Sequence, residues 1–387
     1  MLLMISLFKV FMSETIPNLV GRVLTSGYIT QGQIVDTYEK ELSKYLTNEY
    51  VLSLNSATSG LTLALRLLIK PNDELNWGGF DIEKDYVLST PLTCFATNTA
   101  ILENNCKLKW VDVDINTGNM SMDDLKNKLT KHSKIIYLVH WGGNPVLKSD
   151  MNEIKDYCFN KYGYRPIFVE DCAHAFSSKY EDNTMIGSNN GNIQVFSTQA
   201  IKLLTTVDGG IITLPCKSLY DRAKLLRWYG IDRNKRNYKK KDFRLEHDIT
   251  EHGYKYHMND VNATIGLENL KYINDLVKIN RQNAEYYDKN LQNIKSVRLL
   301  KQNLTSSYWL YTICVKNKVD FIEYMKDNNI MVSQVHQRND IFSCLKESKC
   351  ELPILDKLET ELVCIPVGWW LSKIDLEHIV KCIKQWE

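Results

Sequence analysis

Lys202 is the residue of this chain whose setting most suggests chemistry. It lies in Phe196-Ser197-Thr198-Gln199-Ala200-Ile201-Lys202-Leu203-Leu204, between two apolar, β-rich runs at 193–196 and 211–214. A lysine is ordinarily solvated, and a surface position is the plain reading. Two leucines follow it, however, and a Gly209-Gly210 turn then leads into the next strand. That pattern predicts a lysine at the end of buried strands, where lost solvation lowers the amine pKa and makes it a nucleophile for aldehydes. Asp171 is the second candidate. It closes the run Ile167-Phe168-Val169-Glu170, which reads as a buried strand. A carboxylate there needs a positive partner. That partner is either a structural one, with Asp171 pairing or capping a turn, or a protonated heteroaromatic nitrogen.

Other residues fall just past predicted strands. The strand at 50–54 ends in Asn55-Ser56-Ala57-Thr58-Ser59-Gly60, and a helix with Leu61, Ala64, Leu65 and Leu68 on one face follows. A hydroxyl-rich turn at a helix start can cradle a phosphate through free N–H groups and the helix dipole; simple capping by Asn55 or Ser56 explains the same residues. Phe95 follows the strand at 86–89 and could stack on a ring or belong to the core. His174, three positions beyond Asp171, could face a ring hydroxyl or be a satisfied buried histidine. Ser197 follows the strand at 193–196.

The elements that must position these residues alternate. Strands are expected at 50–54, 86–89, 109–113, 135–139, 166–171, 193–196 and 211–214. Helices are expected at 34–46 (Ile34, Tyr38, Leu42 and Tyr45 on one face), 61–68, 93–103, 122–129, 151–159, 217–228 and 261–291, the last broken near 273–275. Such alternation predicts an α/β fold whose large domain has a mixed, mostly parallel sheet covered by helices, with ligands at the carboxyl ends of the strands. Strands at 308–315 and 330–335, with helices at 320–328 and 376–385, predict a smaller C-terminal α/β domain. The expected division is 1–270 and 271–387.

Net charge is +2, which gives no global electrostatic case for nucleic acid or a membrane surface. The basic run Arg233–Arg244 is either a solvated loop or a clamp for an anionic substrate such as a diphosphate. Ten cysteines without a C-x-x-C pair suggest free thiols in a reducing, cytoplasmic compartment. The apolar start is short, carries Lys9 and does not read as a signal peptide. No metal site is expected.

Pyridoxal 5′-phosphate would use every piece: an amine for its aldehyde, a carboxylate for its ring nitrogen, a helix start and hydroxyls for its phosphate, and an aromatic for its ring face. With the motifs in this order the chain resembles the pyridoxal-phosphate-dependent nucleotide-sugar aminotransferases, of the aspartate-aminotransferase-like fold type I. The resemblance runs from Ser26-Gly27-Tyr28-Ile29-Thr30-Gln31-Gly32 to Pro366-Val367-Gly368-Trp369-Trp370. Ser56-Ala57-Thr58 is similar to the family's Ser-Gly-Thr phosphate turn, with Ala in place of Gly. Glu170-Asp171-Cys172-Ala173-His174 is similar to its Glu-Asp-x-Ala stretch, many members having Gln where this chain has His174.

The resemblance implies Lys202 and Asp171 as catalytic residues. It implies Ala57, Thr58, Phe95, His174 and Ser197 as further cofactor contacts. Asn259 would reach the phosphate in the neighbouring subunit of a homodimer with shared sites. Thr30, Gln31, Arg233, Lys240, His336 and Arg338 would lie toward the sugar nucleotide. L-Glutamate is the implied amino donor and a nucleotide-linked keto-6-deoxysugar, best read as 4-keto, the acceptor, giving an amino sugar for glycan biosynthesis. Lysine at 202 favours amino transfer over dehydration, since dehydrating relatives tend to carry His there. A 3-keto acceptor and a non-catalytic sensor of the cofactor or sugar nucleotide are the alternatives. A dinucleotide enzyme is disfavoured because no G-x-G-x-x-G follows the early strand.

Overall fold

The computed structural model describes residues 4–235, 245 and 247–386. Seven strands form its main sheet: β1 (Val51–Leu54), β2 (Tyr86–Ser89), β3 (Lys107–Trp110), β4 (Ser133–Val139), β5 (Ile167–Asp171), β6 (Ile193–Ser197) and β7 (Gly210–Thr213). Their spatial order is β1-β7-β6-β5-β4-β2-β3. The pairs from β6 through to β3 are parallel, and β7 runs antiparallel to both β6 and β1. The sheet is therefore mixed and mostly parallel, as expected.

The apolar strand runs follow from burial on both faces. In β5 and β6 every residue is buried, whereas the edge strand β3 alternates, with Lys107 and Lys109 exposed and Leu108 and Trp110 buried. Alternate residues enter different core layers. Val169 and Val195 pack with Leu61, Leu65 and Leu68, while Phe168 and Phe196 pack with Tyr38, Leu42, Ile154 and Cys158. The helices carrying these side chains are α2 (Gln33–Leu46), α3 (Ala57–Ile69) and α6 (Lys148–Tyr162). Around them lie α1 (Ile16–Ser26), α4 (Phe95–Glu103), α5 (Met122–Lys128), α7 (Lys217–Leu226), α8 (Asp260–Leu270) and α9 (Ile273–Leu291).

A second, antiparallel sheet has the order β10-β9-β8, from β8 (Val297–Leu299), β9 (Tyr311–Val315) and β10 (Leu362–Ile365). Its core joins Tyr287 and Leu291 of α9 to Phe321 and Met325 of α10 (Lys318–Asp327) and Ile379 and Ile383 of α12 (Lys373–Gln385); α11 (Pro353–Glu359) precedes β10. The first apolar residues cross to this part. Ile5 exchanges backbone hydrogen bonds with Asn329 and Met331, and Ser6 O accepts from the Trp370 indole at 2.9 Å. Among the described residues no helix is long and apolar enough to cross a membrane.

Several expectations are corrected. Residues 330–335 form no strand: Ile330 and Ser333 make only isolated bridges, to Ile5 and Cys364. The strand expected at 109–113 lies at Lys107–Trp110, and the helix break falls at Lys271 and Tyr272. The α2 face is rotated, so that Val35, Tyr38, Leu42 and Leu46 are buried while Ile34 and Tyr45 sit at its margin.

Candidate active site

β5 ends at Asp171, opposite Val195; β6 runs two residues further, to Ser197, which pairs with Gly210 of β7. α3 begins directly above this pair. A Cβ on Gly210 would stand 2.4 Å from the Ser56 carbonyl carbon and oxygen and 2.6 Å from Ala57 N. Only glycine lets the Ser56-Ala57-Thr58 turn approach this closely. Ser197 is thereby brought to the N-terminus of α3. Ser56 caps the helix, its Oγ accepting from Ser59 N at 3.0 Å. The capping reading holds and leaves room for an anion, because one cap leaves other first-turn N–H groups without an intrahelical acceptor. Ala57 opens the helix with an ordinary negative φ, so alanine replaces glycine there without strain.

Asp171 is buried at 5% exposure. Thr97 donates to its Oδ2 at 2.6 Å and Ala173 N to its Oδ1 at 3.0 Å. Burial pushes its pKa up, against these two hydrogen bonds and the attraction of Lys202. Thr97 was not singled out in the sequence. It lies two positions beyond Phe95 in the first turn of α4, and that spacing was its available signal. Phe95 opens α4, is partly buried, and meets Phe342 edge-on at 5.1 Å.

Lys202 sits in the irregular link between β6 and β7, its N–H donating to Gln199 O at 2.9 Å. Burial lowers the amine pKa to about 8, more than the attraction of Asp171 raises it. Its Nζ lies 3.6 Å from the centroid of the Trp309 ring. His174 stacks on the same indole at 4.0 Å and lies parallel to His336 at 5.4 Å. Their protons follow from the hydrogen bonds. Gly142 N donates to His174 Nδ1 at 3.3 Å, so His174 carries its proton on Nε2 and donates to His336 Nε2 at 3.3 Å. Burial holds the His174 pKa well below its ordinary value and that of His336 at about 3. Both rings are therefore neutral near pH 7, and Lys202 is the base titrating nearest neutrality in this group.

A second group gathers at the start of α8. Asp260 Oδ1 accepts from Gly32 N at 2.8 Å and Val35 N at 3.1 Å, and Asp260 N donates to Thr30 O at 3.0 Å. Gln31 is buried beside them with no hydrogen-bond partner on Oε1 among the described residues, and its carbonyl accepts from Arg233 at 3.0 Å. The Arg233 guanidinium also covers the Trp228 ring at 4.8 Å. Asn259 caps α8, its Oδ1 accepting from Asn262 N at 2.9 Å. Lys240 lies outside the described residues. Arg338 is engaged elsewhere, bidentate to Asp340 at 2.8 and 2.7 Å and paired with Asp356 at 2.5 Å.

His140, Glu170 and Cys172 form a buried cluster of metal-ligating types. The His140 and Glu170 lone pairs are committed, and the Cys172 thiol donates to Glu170 O. His140 Nδ1 accepts from Val146 N, so its Nε2 carries the proton and donates to Glu170. Tyr180, Asn190 and Asn192 donate to the same carboxylate, and these bonds hold the Glu170 pKa down despite burial.

The fold recurs in known proteins. AtS13 from Actinomadura melliaura is similar in structure with a TM-score of 0.91 and 41% identity, over 99% of both chains. The sugar aminotransferase CalS13 from Micromonospora echinospora is similar with a TM-score of 0.92 and 38% identity, over 99% of this chain and 100% of that one. A UDP-4-amino-4,6-dideoxy-N-acetyl-beta-L-altrosamine transaminase from Campylobacter jejuni is 32% identical over 76% of this chain and 71% of its own. Residues 11–384 match one family throughout, and the chain belongs to the DegT/DnrJ/EryC1/StrS aminotransferase family.

Proposed function

We propose that this aminotransferase moves an amino group from L-glutamate to a nucleotide-linked 4-keto-6-deoxysugar, using pyridoxal 5′-phosphate held by Lys202. The observation that carries the reading is the buried Asp171, fixed by Thr97 and Ala173, with the Lys202 amine, whose pKa burial lowers to about 8, within its electrostatic reach. The residues fit the cofactor. Ser197, Thr58 and the α3 N-terminus would hold its phosphate, Asp171 its ring nitrogen, Phe95 its face, and His174 its far edge. When bound, the group supplies an aldehyde and an electron sink.

The chain's own residues do the rest. At pH 7 about one amine in ten is neutral at a pKa of about 8, roughly 300-fold more than at the ordinary 10.5. Lys202 Nζ would therefore serve as nucleophile and then as the base that moves a proton from the donor's amino-bearing carbon to the carbon that carried the cofactor's aldehyde. Asp171, fixed by Thr97 and Ala173, would keep the cofactor's ring nitrogen protonated. His174 spends its Nε2–H on His336 Nε2, so the neutral pair would offer a single N–H, that of His336 Nδ1, toward the sugar, and takes no part as acid or base near pH 7.

Asn259 uses its oxygen as a helix cap, which leaves its Nδ2 end to donate to a phosphate; we assign that phosphate to the neighbouring subunit of a homodimer. Thr30, Gln31 and Arg233, gathered beside it, would then face the sugar nucleotide of that neighbour, with Lys240 on the same basic run. Residues 1–270 would form the cofactor-bearing unit and 271–387 the smaller one, in a cytoplasmic enzyme. The C. jejuni relative, named for a 4-amino product, supports the 4-keto assignment. Purified protein incubated with L-glutamate and a panel of UDP-, dTDP- and GDP-linked 3-keto and 4-keto sugars tests the reading. Amino-sugar product from a 4-keto substrate is expected; product only from 3-keto sugars, or none from any, contradicts it.

A further inference from the structure

Trp309 lies 108 positions from Ile201, in the segment entering β9, yet it makes the tightest contacts around Lys202. Its indole N–H donates to Ile201 O at 2.9 Å, the carbonyl immediately before the lysine. Its ring carries the Lys202 ammonium at 3.6 Å. His174 stacks on it at 4.0 Å and Phe8 at 5.0 Å, so the ring cannot turn without breaking two stacks and a hydrogen bond. It is 5% exposed.

We propose that Trp309 is a positioning residue for the catalytic lysine: its N–H clamps the backbone at Ile201, and its ring face holds the amine whenever Lys202 is not bonded to the cofactor. The inference rests on the assignment of Lys202 as the covalent residue. A lysine that must leave and re-attack the same carbon needs a resting place that orients it without consuming its lone pair. An aromatic face does this, since its attraction for a cation is modest and uses no lone pair of the amine. A carboxylate in direct contact would instead hold the proton. The clamp comes from the C-terminal part of the chain, so the position of β9 relative to the main sheet also sets the position of the amine.

The test uses cofactor-free protein and a reagent unrelated to the cofactor. Reductive methylation of Lys202 by formaldehyde and borohydride, quantified by peptide mass spectrometry, gives the pH midpoint of the amine in wild type, Trp309→Phe and Trp309→Leu. The other titratable groups near the amine are Asp171 at the end of β5, Cys94 before α4, His174 and His336. None of these is altered. Loss of the ring face removes stabilisation of the ammonium, so the midpoint falls by about one pH unit in Trp309→Leu and by less in Trp309→Phe. In the loaded enzyme Trp309→Phe, which keeps a ring but lacks the N–H, should lose about tenfold in kcat with KM for both substrates kept. If Trp309→Leu does not fold, Trp309→Phe alone decides. A midpoint that is unmoved or rises, or an unchanged kcat in Trp309→Phe, overturns the proposal. Cofactor trapped by borohydride at a residue other than Lys202 would defeat the underlying assignment instead, and the two failures are read separately.

Discussion

Asp171→Asn isolates the electrostatic coupling on which the site depends. The substitution keeps the shape: an asparagine Oδ1 can still accept from Ala173 N, and the Thr97 hydroxyl can rotate to accept from Nδ2. Only the charge is lost. Lys202 remains buried, but the attraction that partly offsets its desolvation is gone, so its pKa falls below about 8. A nearby opposite charge shifts a titration by one to three pH units. Asp171 already accepts two hydrogen bonds, so the low end applies: about one unit, or ~1.4 kcal/mol.

The sign can be followed into stability. The folded amine pKa lies below its unfolded value of about 10.4 in both proteins, so each is destabilised while the unfolded chain holds a proton that the folded chain resists. The variant carries an extra ~1.4 kcal/mol of this cost below about pH 7 and none of it above about pH 8. Relative to wild type it should therefore gain about that much stability as pH rises through this window. The pH profile of Lys202 methylation in cofactor-free protein reads the midpoint, and urea melts at pH 6.5 and 8.5 read the stability. A midpoint that stays at about 8, or a relative stability independent of pH, refutes the coupling. Turnover should fall by about a hundredfold or more, the order seen when one preorganised charge is removed from an active site.

Two further perturbations test the geometry. Gly210→Ala places a Cβ 2.4 Å from the Ser56 backbone, which cannot swing aside. It should cost about 1–3 kcal/mol in a urea melt and weaken cofactor retention on dialysis, because the phosphate turn is pushed off the β6–β7 pair. Mixing Lys202→Ala with Asn259→Ala protein after subunit exchange should restore about a quarter of wild-type activity, since each hybrid dimer keeps one intact site if Asn259 acts across the interface. No recovery means that it does not.

Much of this site could be read in the sequence because its residues are local to strand ends. Asp171 and Ser197 close mostly apolar runs, broken only by Glu170 and Gln194, and a buried parallel strand leaves just such a run. Ser56-Ala57-Thr58 follows the same logic at a helix start. What escaped were contacts made across the fold. Trp309 in an apolar stretch looks like core, and nothing local shows that its ring lies under Lys202. The pairing of Arg338 with Asp356 likewise forms only once the chain folds back, whereas its pairing with Asp340 is local. The run 330–335 has strand composition, but its backbone is used in single bridges to Ile5 and Cys364 rather than in a ladder. Helix α1 was missed although Pro17 marks its first turn.

The central claim is that one amine, that of Lys202, bonds covalently to the cofactor. Purified holoenzyme reduced with borohydride, digested and mapped by mass spectrometry tests it directly. One phosphopyridoxyl group per chain on Lys202, and none in Lys202→Ala, is the expected result. Full labelling of a different lysine, or a stable holoenzyme with no label at all, would contradict it.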